Sequence, residues 1–169
     1  VDKQFVSAKR NPGDVDYMNP LVKEITEETY GFLIFQEQIA LLAHKLGKNL
    51  SLDEGNKLRK LLTKKGTGEV QELKDKIWIK FREGCLEKGL KPHEAKEMWE
   101  KFEYFSGYGF NKSHAVSYCL LSFQCAWLFN YYPAEWMAAF LDKEPDSRKE
   151  KAISLAKSYG FEIEKLNIN

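Results

Sequence analysis

Residues 107–115 read Gly-Tyr-Gly-Phe-Asn-Lys-Ser-His-Ala, a short polar segment between two stretches rich in aromatic and aliphatic side chains. Its glycines allow close backbone approaches that other residues do not. Asn111 and Ser113 are both favoured helix N-caps, and an apolar helical pattern begins directly after them. The segment therefore predicts a turn that delivers Asn111, Lys112 and His114 to the start of a long helix. An anion could bind there, and a simply capped, solvated helix start is the alternative.

The helix that follows is predicted over residues 113–130 and is apolar on most sides. Gln124 is the one strongly polar residue in its interior. A helix that is apolar nearly all round normally lies at the centre of a domain. We therefore expect an all-α, irregular domain of about seven helices around this central helix, with at most short strands.

Capping signals predict the ends of other helices. Ser51 and Glu54 have the spacing of a capping box and open a helix over residues 52–65, and Ser147 with Glu150 repeats the pattern near the C-terminus. Residues 1–19 are rich in turn signals and predict an irregular segment.

The overall charge of the chain limits the kind of ligand it could bind. Among 169 residues, 26 are basic and 25 acidic, which gives a formal net charge of +1. A free-standing nucleic-acid-binding protein is usually strongly basic, so any affinity for polyanions must be local. Three cysteines without CxxC spacing predict reduced, mostly buried thiols in a cytoplasmic protein, and no membrane partner is expected.

The strongest local charge feature is a basic run in the second half of the helix predicted over residues 52–65. Arginine gives bidentate hydrogen bonds to phosphate, and lysine supplies a point charge. Basic residues late in a helix also complement its dipole and keep its surface solvated, so both explanations stay open here. The run consists of Lys57, Arg59, Lys60, Lys64 and Lys65.

No catalytic centre is predicted from the residues themselves. None of the three histidines has metal-ligand spacing to another ligand residue, so a zinc site is not expected. Two-metal phosphoryl transfer needs carboxylates that hold Mg²⁺, and Asp14 and Asp16 lie in a turn-rich segment instead. We expect no catalytic residue and no metal ligand in this chain.

Four ordered blocks of the sequence share one resemblance: Thr29–Gly31 with Phe35–Gln38, Leu58–Lys60 with Lys64–Lys65, Gly107–Ala115, and Tyr132–Glu135. They resemble the fingers region of the bacterial replicative DNA polymerase III alpha subunit, the C family. The resemblance covers most of the chain and implies a fragment of a longer polypeptide. It implies a palm-to-fingers connecting segment at 1–28, a helical core at 29–145, and a last helix with an exit segment at 146–169.

In this family the palm holds the catalytic aspartates, and the fingers present positive charge to the incoming nucleotide. The resemblance therefore implies part of a cytoplasmic DNA-directed DNA polymerase whose palm, with its Mg²⁺, lies outside this chain. The implied partners are dNTP, primer-template DNA and the palm of the same polypeptide. The sliding clamp and other replisome subunits would bind through regions outside this chain.

Residue by residue, the resemblance implies a nucleotide site built from two distant basic segments. Lys60 stands where the family has a second arginine, which removes one bidentate contact. The segment Gly107–Ala115, called the glycine turn below, matches in full, with the individual roles of its residues unassigned. The implied nucleotide-binding residues are Arg59, Lys60, Lys64, Lys65, Asn111, Lys112 and His114.

Two hypotheses without a polymerase palm remain as alternatives. The chain could be a non-catalytic helical module that binds nucleic acid through the basic helix at 52–65, or a helical scaffold with no ligand. A shared nucleotide site also requires that Arg59 and Lys64 do not lie on the opposite side of the molecule from Lys112.

Overall fold

The structure, a computed structural model, describes residues 2–62, 68–106 and 109–164. The all-α class is confirmed within these ranges, where nine α-helices occur rather than about seven. Two single 3₁₀ turns, Pro12–Asp14 and Glu27–Thr29, join the early helices. The helices are α1 (Asp2–Arg10), α2 (Pro20–Thr26), α3 (Gln36–Leu46), α4 (Leu52–Leu62), α5 (Gly68–Glu87), α6 (Pro92–Ser106), α7 (Lys112–Tyr131), α8 (Pro133–Lys143) and α9 (Asp146–Ser158).

The predicted capping box of α4 is present. The backbone N–H of Glu54 donates to Ser51 Oγ at 3.2 Å, and the backbone N–H of Ser51 donates to Glu54 Oε2 at 2.9 Å. The equivalent prediction at Ser147 is wrong, because α9 already begins at Asp146. There the N–H of Arg148 bonds to the carbonyl of Pro145 at 2.9 Å, so the helix starts before Ser147 could cap it.

The irregular segment predicted at the N-terminus is also wrong in part, because residues 2–10 form α1. The turn signals that suggested irregularity begin only at Asn11, after the helix has ended. Phe5 of α1 lies with its ring centroid 5.3 Å from that of Tyr30 and 6.2 Å from that of Phe32. This aromatic contact attaches the helix to the rest of its unit.

The chain divides into two compact units, Val1–Ser113 and His114–Asn169. In the first, buried side chains of α2 to α6 form a single apolar core. Phe81 of α5 is fully buried at its centre, and its ring centroid lies 5.3 Å from Phe102 and 5.6 Å from Trp99 on α6. Such ring clusters dominate the burial energy of small helical domains.

Close backbone contacts in the first unit depend on two glycines. Gly55 lets α4 lie against α3, since a Cβ atom at this position would sit 2.5 Å from the carbonyl oxygen of Ala40. A Cβ atom at Gly84 of α5 would overlap the backbone that leaves α3, at Leu46 and Lys48. Both residues are buried within these helix contacts.

The second unit contains most of α7, together with α8 and α9. The ring centroid of Phe129 on α7 lies 5.6 Å from that of Trp136 on α8 and 5.3 Å from that of Tyr159 after α9. Met137 of α8 and Ala156 of α9 are buried. Aromatic packing therefore holds these three helices together.

The predicted central position of the 113–130 helix is wrong for this chain. No residue of α7 is buried, and Phe123 and Tyr118 are 68% and 60% exposed. An apolar composition indicates that a helix is covered, but it does not say which part of a polypeptide covers it. None of the helices described here has the length and hydrophobicity needed to span a bilayer.

The prediction that the cysteines are mostly buried holds for only one of the three. Cys85 is fully buried, and burial raises the pKa of its thiol to about 12. Cys119 and Cys125 on α7 are exposed instead, although all three are free thiols as predicted. Cys119 and Cys125 were expected to be buried because the apolar composition of α7 was taken to place that helix at the centre of the domain.

Candidate functional site

The first turn of α3 joins the two predicted basic segments. The side-chain oxygen of Gln36 accepts a 2.6 Å hydrogen bond from Arg59 Nη1 of α4. The adjacent carboxylate of Glu37 accepts a 3.1 Å hydrogen bond from the backbone N–H of Lys112, at the start of α7. Arg59 and Lys112 thus contact neighbouring residues of one helical turn and do not lie on opposite sides of their unit.

A short parallel bridge fixes the described end of the glycine turn to the same place. The N–H of Gln36 donates to the carbonyl of Phe110 at 3.0 Å, and the N–H of Phe110 donates to the carbonyl of Ile34 at 3.1 Å. Gly109 packs directly on Gln36, since a Cβ atom at this position would lie 2.8 Å from Gln36 Cγ. Gly107 and Tyr108 lie outside the described residues.

The side chain of Gln38 forms hydrogen bonds with the backbone segment just before α3. It is 2% exposed, and its side-chain oxygen accepts from the N–H groups of Ile34 and Phe35 at 2.9 and 3.0 Å. Its side-chain nitrogen donates to the hydroxyl of Thr29 at 2.8 Å and to the carbonyl of Ile25 at 3.3 Å. Both ends of this buried amide are bonded, which gives the turn under Gln36 a single arrangement.

We expect Gln38→Leu to lower the free energy of unfolding by about 3 kcal/mol, because the part-buried N–H groups of Ile34 and Phe35 would lose their acceptor, and Thr29 and Ile25 would lose their donor. The measurement is urea unfolding of this chain, followed by circular dichroism. Gln71→Leu on α5 is the matched control, since Gln71 is exposed and bonds only to Asp75 among the described partners. Equal losses in the two variants would show that the Gln38 network contributes little.

Lys112 is held by a carboxylate that the sequence analysis missed. Its Nζ bonds to both oxygens of Glu28, at 2.5 and 2.7 Å, and lies 5.6 Å from the centroid of the Phe35 ring. The positive charge of Lys112 is therefore balanced by Glu28. The two residues are 84 positions apart, and no motif spacing points to such a pair.

Arg59 is in a different electrostatic situation. It is half-buried, its described partner is the neutral amide of Gln36, and no carboxylate among the described residues forms a salt bridge with it. Its Nε is buried and has no hydrogen-bond partner in the described part of the chain. A buried donor left unsatisfied costs about 1–3 kcal/mol. Beyond this N–H and the donor that Gln36 accepts, a guanidinium carries three further N–H groups that can bind an acceptor.

The remaining predicted site residues are only partly placed. Lys60 is exposed on α4, and Asn111 directly precedes α7. His114 belongs to the second unit, where its ring lies 4.4 Å from that of Tyr118. Lys64 and Lys65 fall outside the described residues.

The described residues do not offer a metal site. No group of three or more His, Cys, Asp and Glu side chains within 2–62, 68–106 and 109–164 is arranged to hold an ion. Lys112 is paired with Glu28, the carboxylate of Glu37 accepts from a backbone N–H, and the guanidinium of Arg59 bonds to a neutral amide. The N–H groups of this guanidinium are suited to binding an anion.

The comparison with protein families gives a direct match. A family model described as the bacterial DNA polymerase III alpha subunit finger domain matches residues 1–89. The chain belongs to this family. The matched finger-domain segment contains α1 to α5 and therefore both Gln36 and Arg59.

Relatives of this finger domain match almost the whole chain. A DNA polymerase III subunit alpha from Treponema pallidum is 35% identical over 168 residues, and one from Borreliella burgdorferi is 37% identical over 168 residues. A third, from Xylella fastidiosa strain Temecula1, is 36% identical over 169 residues. Each match covers 98% of this chain but only 14% of the relative, so the chain spans a small part of those polypeptides.

Proposed function

We propose that this chain is the fingers of a DNA-directed DNA polymerase and binds the triphosphate of the incoming dNTP. The observation that carries the proposal is the half-buried guanidinium of Arg59, which no described carboxylate balances and which is tied through Gln36 to the glycine turn. A triphosphate supplies closely spaced anionic oxygens, which arginine binds through paired hydrogen bonds.

In the proposed reaction the primer 3′-OH attacks the α-phosphate of the dNTP and pyrophosphate leaves. The fingers residues move no proton in this step. Arg59 orients the triphosphate, and Lys60, Lys64 and Lys65 add positive charge that stabilises the charge developing on the leaving phosphates. Asn111 and Lys112 line the same site, where a phosphate contact from Lys112 would require its pair with Glu28 to open. His114 stays a prediction from the resemblance.

The rest of the polymerase is proposed to lie outside this chain. Mg²⁺, which would neutralise phosphate charge when bound, is assigned to palm carboxylates on the resemblance to the polymerase family. Residues 1–28 would connect to that palm, and 29–145 would form the core of the fingers. Residues 146–169 would form the last helix and the exit segment of the fingers. Primer-template DNA and cytoplasmic replisome subunits, including the sliding clamp, are the proposed partners of the whole protein.

Lysine footprinting of the full-length enzyme tests this assignment. The enzyme is bound to a primer-template with a dideoxy-terminated primer, acetylated briefly with and without the next correct dNTP, and analysed by peptide mass spectrometry. At ten times the Kd the site is about 90% occupied, so acetylation of Lys60, Lys64 and Lys65 should fall up to about tenfold. Lys96 on α6, whose side chain is 72% exposed, is the control and should not change.

The same experiment separates the alternatives. A non-catalytic nucleic-acid-binding module would protect its basic helix with DNA alone and show no further change when dNTP is added. A scaffold without a ligand would show no protection under either condition. Either result would contradict the proposed triphosphate site.

A further inference from the structure

Gln36 touches both basic segments of the candidate site. Its side chain binds Arg59 of α4, its backbone N–H binds the carbonyl of Phe110, and its Cγ packs beneath Gly109. The contact with Arg59 spans 23 positions of sequence. A shift of Gln36 would therefore move the guanidinium and the glycine turn together.

The two cations at this turn differ in their partners, since one partner is a charged carboxylate and the other is a neutral amide. Lys112 faces the carboxylate of Glu28, which balances its charge. Arg59 faces the amide oxygen of Gln36, which accepts a hydrogen bond and leaves the positive charge in place. A carboxylate at position 36 would hold the guanidinium equally well but would compete with phosphate for it.

We propose that Gln36 is a positioning residue for nucleotide binding: its neutral side chain aims the guanidinium of Arg59 without neutralising it. This inference rests on the proposed triphosphate site. Gln36 itself need not touch the nucleotide. It acts by restricting Arg59 to one orientation, which lowers the entropy cost of binding.

The test uses primer extension by the full-length enzyme at varied dNTP concentration. Gln36→Glu keeps the size of the side chain and should raise the KM for dNTP about tenfold, with kcat changed less than about twofold. In an Arg59→Ala background the same substitution should change KM by less than about twofold. Gln71→Glu, an exposed change on α5, is the matched control and should leave both parameters unchanged.

The double-mutant comparison separates this inference from the proposed function. If Arg59→Ala leaves both the KM and the kcat for dNTP unchanged, the triphosphate site itself is refuted. If Arg59→Ala raises KM but Gln36→Glu has the same effect in both backgrounds, only the positioning role of Gln36 is overturned.

A second variant covers the case in which Gln36→Glu weakens the fold. Gln36→Met keeps the length and packing of the side chain and removes the acceptor. It should raise the KM for dNTP when Arg59 is present and have no effect when Arg59 is alanine. Equal effects in both backgrounds would assign Gln36 a purely structural role.

Discussion

In the full-length polymerase, Arg59→Ala is expected to lower kcat/KM for dNTP about a hundredfold. Hydrogen bonds to charged groups contribute about 1.5–3 kcal/mol each, which corresponds to factors of about 10 to 150 in affinity or rate. The affinity for primer-template DNA should change less than about threefold, because a single lost charge among many phosphate contacts has a small effect. Steady-state primer extension and DNA binding measure the two quantities separately.

Two further variants sharpen this test. Arg82→Ala on α5 removes an exposed arginine outside the candidate site and should have no effect on either quantity. Arg59→Lys keeps the charge but loses the paired donors, so it should recover only part of the activity. An unchanged KM and rate for dNTP in Arg59→Ala would refute the assignment, and an equal loss in Arg82→Ala would show that the effect is general electrostatics.

Gly84→Ala is expected to reduce the stability of the chain by about 3 kcal/mol, the range of severe overpacking in a rigid core. The added methyl group would overlap the backbone at Leu46 and Lys48, and backbone atoms cannot move aside as a flexible side chain does. The 2.9 Å hydrogen bond from the N–H of Lys48 to the carbonyl of Lys80 would be strained as well.

The control for Gly84→Ala lies in the same helix. A Cβ atom at Gly68 of α5 would meet no atom of the described residues within 4 Å, so Gly68→Ala should be neutral or slightly stabilising. Urea unfolding of the two variants provides the comparison. If Gly84→Ala were as stable as the unsubstituted chain, α5 and the segment after α3 would not be in the close contact described here.

Features set by neighbouring residues could be predicted from the sequence. The start of α4 follows from Ser51 and Glu54, whose side chain and backbone groups satisfy one another within four residues. Asn19 likewise accepts a 2.8 Å hydrogen bond from the N–H of Leu21 at the start of α2, with Pro20 in the first helical position. Local chemistry of this kind needs no knowledge of the tertiary fold.

Features that depend on distant partners could not be predicted. Helix α1 was missed because its aromatic contact with Tyr30 lies outside any local window. The exposure of α7 was missed because an apolar composition indicates that a helix is covered but does not identify what covers it.

The candidate site shows the same division. Arg59 and Lys112 were singled out from local sequence patterns, and the resemblance to a known family added their expected role in nucleotide binding. Glu28, Gln36 and Glu37 were missed as their partners, although Gln36 and Glu37 lie in one of the resembling blocks. The bonds that join these residues span 23, 75 and 84 positions, and no sequence period encodes such distances.

The bridge between residues 35 and 110 has a practical consequence for following this site in solution. The amide proton of Phe110 lies outside any helix but is bonded to the carbonyl of Ile34. Its hydrogen exchange with solvent therefore requires the end of the glycine turn to detach from the segment before α3. The exchange rate at this single amide reports how often that detachment occurs.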